Sequence, residues 1–214
     1  MAIKEIFPGI YKEGKWLYTE NLNPGKRVSM EKLYVANGIE YRSWNPYKSK
    51  MAAAILKGCK NVPIKKDSHV LYLGAANGTT ASHFSDIARN GMIYAVEISF
   101  QAMKDLLNVC GERNNMIPIM ADARKPEAYE AMIEHVDVVY QDIAQRDQVN
   151  IFLKNMERFD AKEGILMVKA RSIDVSMKPE KVFEKVKREI KNNFQIKEAL
   201  SLHPYARDHM AIFV

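Results

Sequence analysis

From residue 68 onward the chain alternates five times between a short apolar run and a helical pattern. The runs fall at 70–73, 92–96, 116–120, 136–140 and 165–168, and the helical stretches behind them at 79–89, 100–112, 127–134, 147–158 and 179–192. Runs this short and this continuously apolar suit strands buried on both faces, which need helices to cross back over the sheet. A right-handed crossover repeated in this way gives an α/β fold with a doubly wound, mostly parallel sheet. The tail supplies 195–202 and 209–214, joined by His203-Pro-Tyr-Ala-Arg-Asp208; as a hairpin they bring the sheet to seven strands with an antiparallel edge. Strands four and five should lie side by side, next to strand one.

The first strand runs into Gly74-Ala75-Ala76-Asn77-Gly78, and Thr79 and Thr80 open the helix behind it. Glycine lets the backbone pass close to a ligand, and a helix start offers unpaired N–H groups. Nucleotide-like cofactors bind on such turns, at the carboxyl ends of parallel strands. The dinucleotide pattern G-x-G-x-x-G needs glycine at 76 and 79, where this chain has Ala76 and Thr79. That argues against a pyrophosphate cofactor and a nicotinamide dehydrogenase. S-adenosylmethionine, which has no pyrophosphate, suits the turn. A Walker loop and a G-x-S-x-G elbow are both absent from the sequence.

Polar residues then recur at strand ends. Glu97 lies 23 residues beyond Gly74, about where a cofactor ribose is held by its hydroxyls. Asp122 ends strand three, within reach of an adenine amino group. Asp142 and Lys169 end strands four and five, so both face the crevice, and a lysine half-buried there calls for a partner such as Asp142. Amino-group methyltransferases usually carry Asn/Asp-Pro-Pro-Tyr at this place. Here the residues are Gln141-Asp142-Ile143-Ala144-Gln145, which favours a hydroxyl acceptor.

Residues 1–45 follow neither pattern. Apolar and tyrosine-rich segments at 6–11 and 15–19 flank Glu13-Gly14, and 32–35 and 39–42 flank Asn37-Gly38, a strong hairpin signal. This reads as a β-rich N-terminal subdomain. Asn45-Pro46 then reads as the N-cap and first residue of a helix reaching about Cys59, with Lys50 snorkelling from its apolar stripe. Cys59 and Cys110, isolated in helical patterns, read as reduced core thiols of a cytosol-like compartment. A net charge of +6 favours a polyanionic partner. No motif of an RRM, KH domain or zinc knuckle is present, so the chain has no evident means of reading a base sequence by itself.

Five dispersed stretches resemble the fibrillarin family, over about residue 6 to the C-terminus: Tyr-Arg-Ser-Trp-Asn-Pro-Tyr-Lys-Ser-Lys-Met-Ala-Ala-Ala-Ile (41–55), Tyr-Leu-Gly-Ala-Ala-Asn-Gly-Thr-Thr (72–80), Tyr-Ala-Val-Glu-Ile-Ser (94–99), Gln-Asp-Ile-Ala-Gln (141–145) and Pro-Tyr-Ala-Arg-Asp-His (204–209). The resemblance implies a Rossmann-like methyltransferase domain over 46–214 and S-adenosylmethionine-dependent 2′-O-methylation of ribosomal, and also transfer, RNA. It further implies a box C/D guide RNA particle with a Nop-family scaffold protein and a ribosomal-type guide-binding protein. The family's cofactor positions fall on Gly74, Ala75, Gly78, Thr79, Thr80, Glu97, Ile98, Asp122, Ala123, Asp142, Ile143, Ala144 and Gln145. Its active-site positions fall on Lys50, Asp142, Lys169 and His209, with no metal. Ile98 and Ser99 stand where Phe or Ser is usual, and Ala206 where Glu is usual. The Gly/Arg-rich tail of eukaryotic members is missing, so the chain is similar to the archaeal form and is expected in the cytoplasm without a targeting segment.

Overall fold

The computed structural model describes residues 3–214. Strands β1 (Lys4–Phe7), β2 (Ile10–Glu13), β3 (Trp16–Glu20), β4 (Leu33–Ala36) and β5 (Ile39–Trp44) form an antiparallel sheet in the order β1-β2-β3-β5-β4. The 6–11 segment, which reads as one strand, is broken by a second hairpin at Pro8-Gly9. Gly9 adopts φ +72°, which non-glycine residues rarely adopt, and its N–H is taken by Glu5 Oε1 at 2.8 Å.

Helix α1 (Lys50–Leu56) begins later than expected. Asn45 caps a turn instead, its Oδ1 accepting from Tyr47 N at 2.9 Å, and Ser49 is the N-cap, accepting from Ala52 N. Asparagine before proline suits either role, and the second capping residue four positions on takes the helix. Cys59 lies beyond that helix, and both cysteines are buried free thiols.

The rest of the chain is β6 (His69–Leu73), α2 (Thr79–Ile87), β7 (Met92–Glu97), α3 (Phe100–Gly111), β8 (Met116–Met120), β9 (Val138–Gln141), α4 (Gln148–Arg158), β10 (Glu163–Lys169), α5 (Ala170–Ile173), α6 (Pro179–Lys191), β11 (Glu198–Ser201) and β12 (His209–Phe213). The seven-stranded sheet has the order β11-β12-β10-β9-β6-β7-β8. Only β12 runs against its neighbours, pairing antiparallel with both β10 and β11, so the reversed strand is next to the outermost one. The crevice therefore opens where β9 and β7 leave β6 on opposite sides.

Alternate residues of the strands serve two cores. Val70, Tyr72, Val138 and Tyr140 join Met51, Phe84 and Trp44 on one face; Leu71, Leu73, Val139 and Val168 join Phe152, Val182 and Ile190 on the other. Helix α6 buries Val182, Phe183, Val186 and Ile190, and its charged residues face outward. The helix expected over 127–134 is absent; two 3₁₀ turns, Pro126–Ala128 and Glu130–Met132, replace it. Tyr129 is buried between them with its hydroxyl on Asn155 Oδ1 at 2.5 Å and its ring stacked on Phe159. That anchor holds Tyr129 at φ −133°, outside helical space, and overrides a helix-forming sequence.

The N-terminal sheet is bolted to α2 by buried polar groups. Asp86 Oδ2 accepts from Thr19 Oγ1 at 2.7 Å and from Arg42 Nη1 at 2.8 Å; Oδ1 accepts from Arg113 Nη1 at 2.8 Å and from Leu22 N at 3.1 Å. Thr19 has given its one hydroxyl proton to Asp86, so at 2.8 Å it accepts from Nδ1–H of His83. Burial and the flanking Arg42 and Arg113 hold His83 well below the usual histidine range, hence neutral. His209 is also lowered, first by burial.

The sign of the resulting pH dependence is fixed. Below pH 6.5 the unfolded chain takes protons on these rings that the folded chain refuses, so stability is complete above 6.5 and falls as pH drops. We expect a loss of up to about 1.4 kcal/mol per pH unit from His83 in that window. Urea midpoints measured between pH 7 and 5 should show this slope, and His83→Gln should flatten it; an equally steep slope in the variant would refute the assignment.

Candidate active site

Strand β6 ends at a turn that only glycine can make. Gly74 has φ +81°, and a Cβ there would stand 2.8 Å from Asp142 O. The N–H groups of Gly74 and Ala75 both donate to Val96 O, at 2.9 and 3.1 Å, while Asp142 N donates to Leu73 O at 2.9 Å. The ends of β6, β7 and β9 are thus laced together around the turn. Gly78, at φ +82°, caps α2, and a side chain there would meet Leu106.

Glu97 is nine-tenths buried beside this turn. Its carboxylate accepts from Ala76 N at 2.8 Å, Ile98 N at 2.9 Å and Ser99 N at 2.7 Å. A carboxylate has about four acceptor positions, so about one is left for a ligand. Asp122 is held in a fork by Arg124, with Nη2 2.7 Å from Oδ2, and these bonds keep its carboxyl below the usual range. A single cleft is lined by Gly74, Glu97, Ile98, Asp122, Ala123, Ile143 and Gln145, along with Arg124. Seven of the thirteen expected cofactor positions therefore share one wall. Ala75 is buried behind the turn, Ala144 is exposed, Thr79 faces a different cavity, and Thr80 is half-buried in the first turn of α2.

The second cluster is tighter than the expected pair. Asp142 bridges two ammonium groups: Lys50 Nζ lies 3.0 Å from Oδ2 and Lys169 Nζ 2.9 Å from Oδ1. Lys169 also donates to Asp142 O at 3.3 Å, and Oδ1 is buried without a directed hydrogen bond. Lys50 thus turns inward; it does not snorkel to solvent. It does so because Ser49 starts α1 there and aims its first residue at the end of β9. His209 stands opposite Lys169 in the β10–β12 register. Its Nδ1 lies 2.5 Å from Arg207 O, which only accepts, so Nδ1 carries the proton and Nε2 holds a free lone pair. Burial, then the charges of Lys50 and Lys169, lower the pKa of this ring against the Arg207 bond and Asp142, so it is neutral at pH 7.

Two supports escape a reading of the sequence. Gln148 is fully buried: its Oε1 accepts from Lys169 N at 2.9 Å and its Nε2 donates to Gln145 O at 2.9 Å, joining the 141–145 loop to the end of β10. A polar residue in the first turn of a helix ordinarily reads as surface. Tyr72 and Tyr140 are paired across β6 and β9 with ring centroids 4.5 Å apart, and lie buried on the Asp142 side of the sheet. Within apolar strands they read as core, and their hydroxyls give no sign in the sequence.

The chemistry available here is acceptor-rich at the cleft and cationic beside it. Glu97 and Asp122 suit hydroxyl and amino donors, and the turn from Gly74 to Gly78 carries no lysine or arginine for phosphates. Two lysines and a neutral imidazole suit a hydroxyl that develops negative charge and loses a proton. Among the described residues no group of side chains could hold a metal ion, and no helix is long and apolar enough to cross a membrane.

The sequence profile of the family described as fibrillarin matches residues 1–214. A fibrillarin-like rRNA/tRNA 2′-O-methyltransferase of Thermococcus gammatolerans is 47% identical over 219 residues, covering 99% of this chain and 96% of that protein. The crystal structure of Aeropyrum pernix fibrillarin in complex with natively bound S-adenosyl-L-methionine is similar with a TM-score of 0.90 and 41% identity, over 100% of this chain and 97% of that one. A crystal structure of a fibrillarin/Nop5p complex matches with a TM-score of 0.91 and 45% identity, covering 98% of each chain.

Proposed function

The chain belongs to the fibrillarin family, and from that premise we propose that it methylates ribose 2′-hydroxyls of ribosomal and transfer RNA with S-adenosylmethionine. The observation that carries this reading is Asp142 held between Lys50 and Lys169, with the free nitrogen of His209 on the neighbouring strand. The residues fit the cofactor. The cradle at Gly74 would be filled by a Cβ, Glu97 keeps about one acceptor position for a hydroxyl, and the cleft wall carries Glu97 and Asp122, with Arg124 forked onto Asp122.

We assign Glu97 to the cofactor ribose, Asp122 to its adenine, and Gly74, Ala75, Gly78, Thr79, Thr80, Ile98, Ala123 and 142–145 to the rest of its cradle. S-adenosylmethionine supplies a methyl group activated by a sulfonium. This chain's residues prepare the acceptor. Lys169 and Lys50 orient the ribose hydroxyl and stabilise the developing oxyanion, while Asp142 fixes both ammonium groups. His209 Nε2 takes the hydroxyl proton, an assistance of about 10²–10⁴-fold. Holding the reacting atoms in line could supply roughly 7–11 kcal/mol more.

Residues 1–45 act as an N-terminal subdomain and 46–214 as the methyltransferase domain. A Nop-family protein is the scaffold, as the fibrillarin/Nop5p complex of a relative supports. A box C/D guide RNA and a guide-binding protein select the nucleotide, and the archaeal sources of the relatives support work in the cytoplasm. The test is methyl transfer by the chain alone and by the reconstituted particle on a defined RNA. Alone it should bind cofactor by calorimetry and methylate poorly or not at all; in the particle it should methylate one guided ribose. Efficient, site-specific methylation of unguided RNA by the chain alone would overturn the division of labour.

A further inference from the structure

The parallel pairing of β9 with β10 stops at Gln141, opposite Leu166, while β10 runs on to Lys169. One edge of that overhang is covered by β12, whose His209 stands opposite Lys169. On the edge that β9 has left, Lys169 has a backbone N–H and C=O with no strand to meet them, and such groups need partners. The side chain of Gln148, fully buried at the start of α4, meets both. Its Oε1 accepts from Lys169 N at 2.9 Å, and its Nε2 donates to Lys169 O at 3.3 Å. A side-chain amide thus takes the place of the missing peptide group.

The same amide reaches the cofactor cleft. Its Nε2 also donates to Gln145 O at 2.9 Å, and Gln145 stands in the cleft wall. Both amide hydrogens are then engaged, and a reversed amide would set donor against donor at Lys169 N. Gln141, fully buried at the end of β9, steadies Gln148 from behind by donating from Nε2 to Gln148 O at 2.6 Å. Lys169 in turn carries the ammonium group 2.9 Å from Asp142 Oδ1. One side chain therefore grips the backbone of the active-site lysine and that of the cofactor loop.

We propose that Gln148 is a positioning residue that couples the wall of the cofactor cleft to Lys169, so that a filled cleft holds the lysine in place for the acceptor hydroxyl. The inference rests on the methyltransferase reading given above, in which Lys169 orients that hydroxyl. Being fully buried, Gln148 acts only through Lys169 and Gln145. The chemistry selects an amide. An apolar chain of similar size bonds neither partner, and an ionised glutamate would press its charge against two carbonyl oxygens. A protonated glutamic acid, with one O–H donor and an acceptor, restores the accepted bond and one of the donated ones.

Two variants test this and leave the catalytic cluster itself unchanged. In the reconstituted particle at saturating cofactor, Gln148→Met should lower single-turnover methyl transfer about 10²-fold, the cost of a misplacement near 1 Å. Gln148→Glu should fall as far above neutral pH and recover as the pH drops and the buried carboxyl takes its proton. Dividing by the wild-type rate removes the titration of His209. That ratio should rise with acidity for Gln148→Glu and stay level for Gln148→Met, over the range where urea midpoints show each protein folded. Hydrogen exchange on the chain alone supplies a readout without turnover. The Lys169 amide should be protected in the wild type, and further protected by S-adenosylmethionine; Gln148→Met should lose both effects. If Gln148→Met does not fold, the pH series of Gln148→Glu decides alone. A Gln148→Met rate close to that of the wild type, a Gln148→Glu ratio independent of pH, or equal protection of Lys169 in Gln148→Met would each overturn the proposal. Cofactor-dependent protection of Lys169 in a chain whose particle never methylates would sink the enzymatic reading and leave the coupling standing.

Discussion

Asp142→Ala is expected to lower methyl transfer in the reconstituted particle by about 10²–10⁴-fold, the range of a lost acid–base or positioning group. Asp142 holds two ammonium groups, not one, at 2.9 and 3.0 Å. Without it, Lys50 and Lys169 repel each other, and neither stays where the ribose oxygen needs it. Lys169→Ala should cost a comparable factor. Because the lysine and the aspartate act as a unit, the double variant should fall little below the worse single one. Single-turnover rates with saturating cofactor measure this, and calorimetry on the same proteins separates chemistry from cofactor binding. Lys169→Ala should leave cofactor affinity nearly intact. Losses that multiply in the double variant would mean that the two residues work independently.

How much of this was legible in the sequence follows from how local each feature is. The β6-to-β10 alternation was readable because burial on both faces writes itself as continuous apolar runs. The placement of Glu97, Asp122, Asp142 and Lys169 at strand ends came with it. Lys50 reached the site only through the family resemblance. Its helical stripe alone suggested solvent, since the ion pair to Asp142 spans 92 residues. Helix propensity misread 127–134, where one buried tyrosine dictated the backbone, and the Asn45-Pro46 signal was outcompeted by Ser49. Gln148 shows the harder limit. A buried amide that ties Lys169 to Gln145 has the same sequence signature as an exposed one. The polar bolt between the N-terminal sheet and α2 was equally silent, because Thr19 and Asp86 lie 67 positions apart.

That bolt carries the largest expected effect on stability. Asp86, Arg42 and Arg113 are essentially inaccessible to solvent, and Asp86 accepts four hydrogen bonds, so all its acceptor positions are used. Asp86→Ala would leave Arg113 buried without its carboxylate and Arg42 with Glu31 alone. Breaking a buried pair from one side costs about 3–5 kcal/mol, a large part of the roughly 5–15 kcal/mol of a typical domain. The urea midpoint should fall accordingly. Lost volume and orphaned charge can be told apart by a second substitution. Arg113 has Asp86 as its carboxylate partner, so Arg113→Met in the Asp86→Ala background removes the stranded charge and fills space with an apolar chain. If charge dominates, the double variant should be more stable than Asp86→Ala; if the cavity dominates, it should be no better. An unchanged midpoint in Asp86→Ala itself would mean that water or a rearranged Glu31 replaces the carboxylate. Because α2 starts at Gly78, a loosened bolt should also reach the cofactor turn, and cofactor affinity should fall in Asp86→Ala and recover with stability in the double variant.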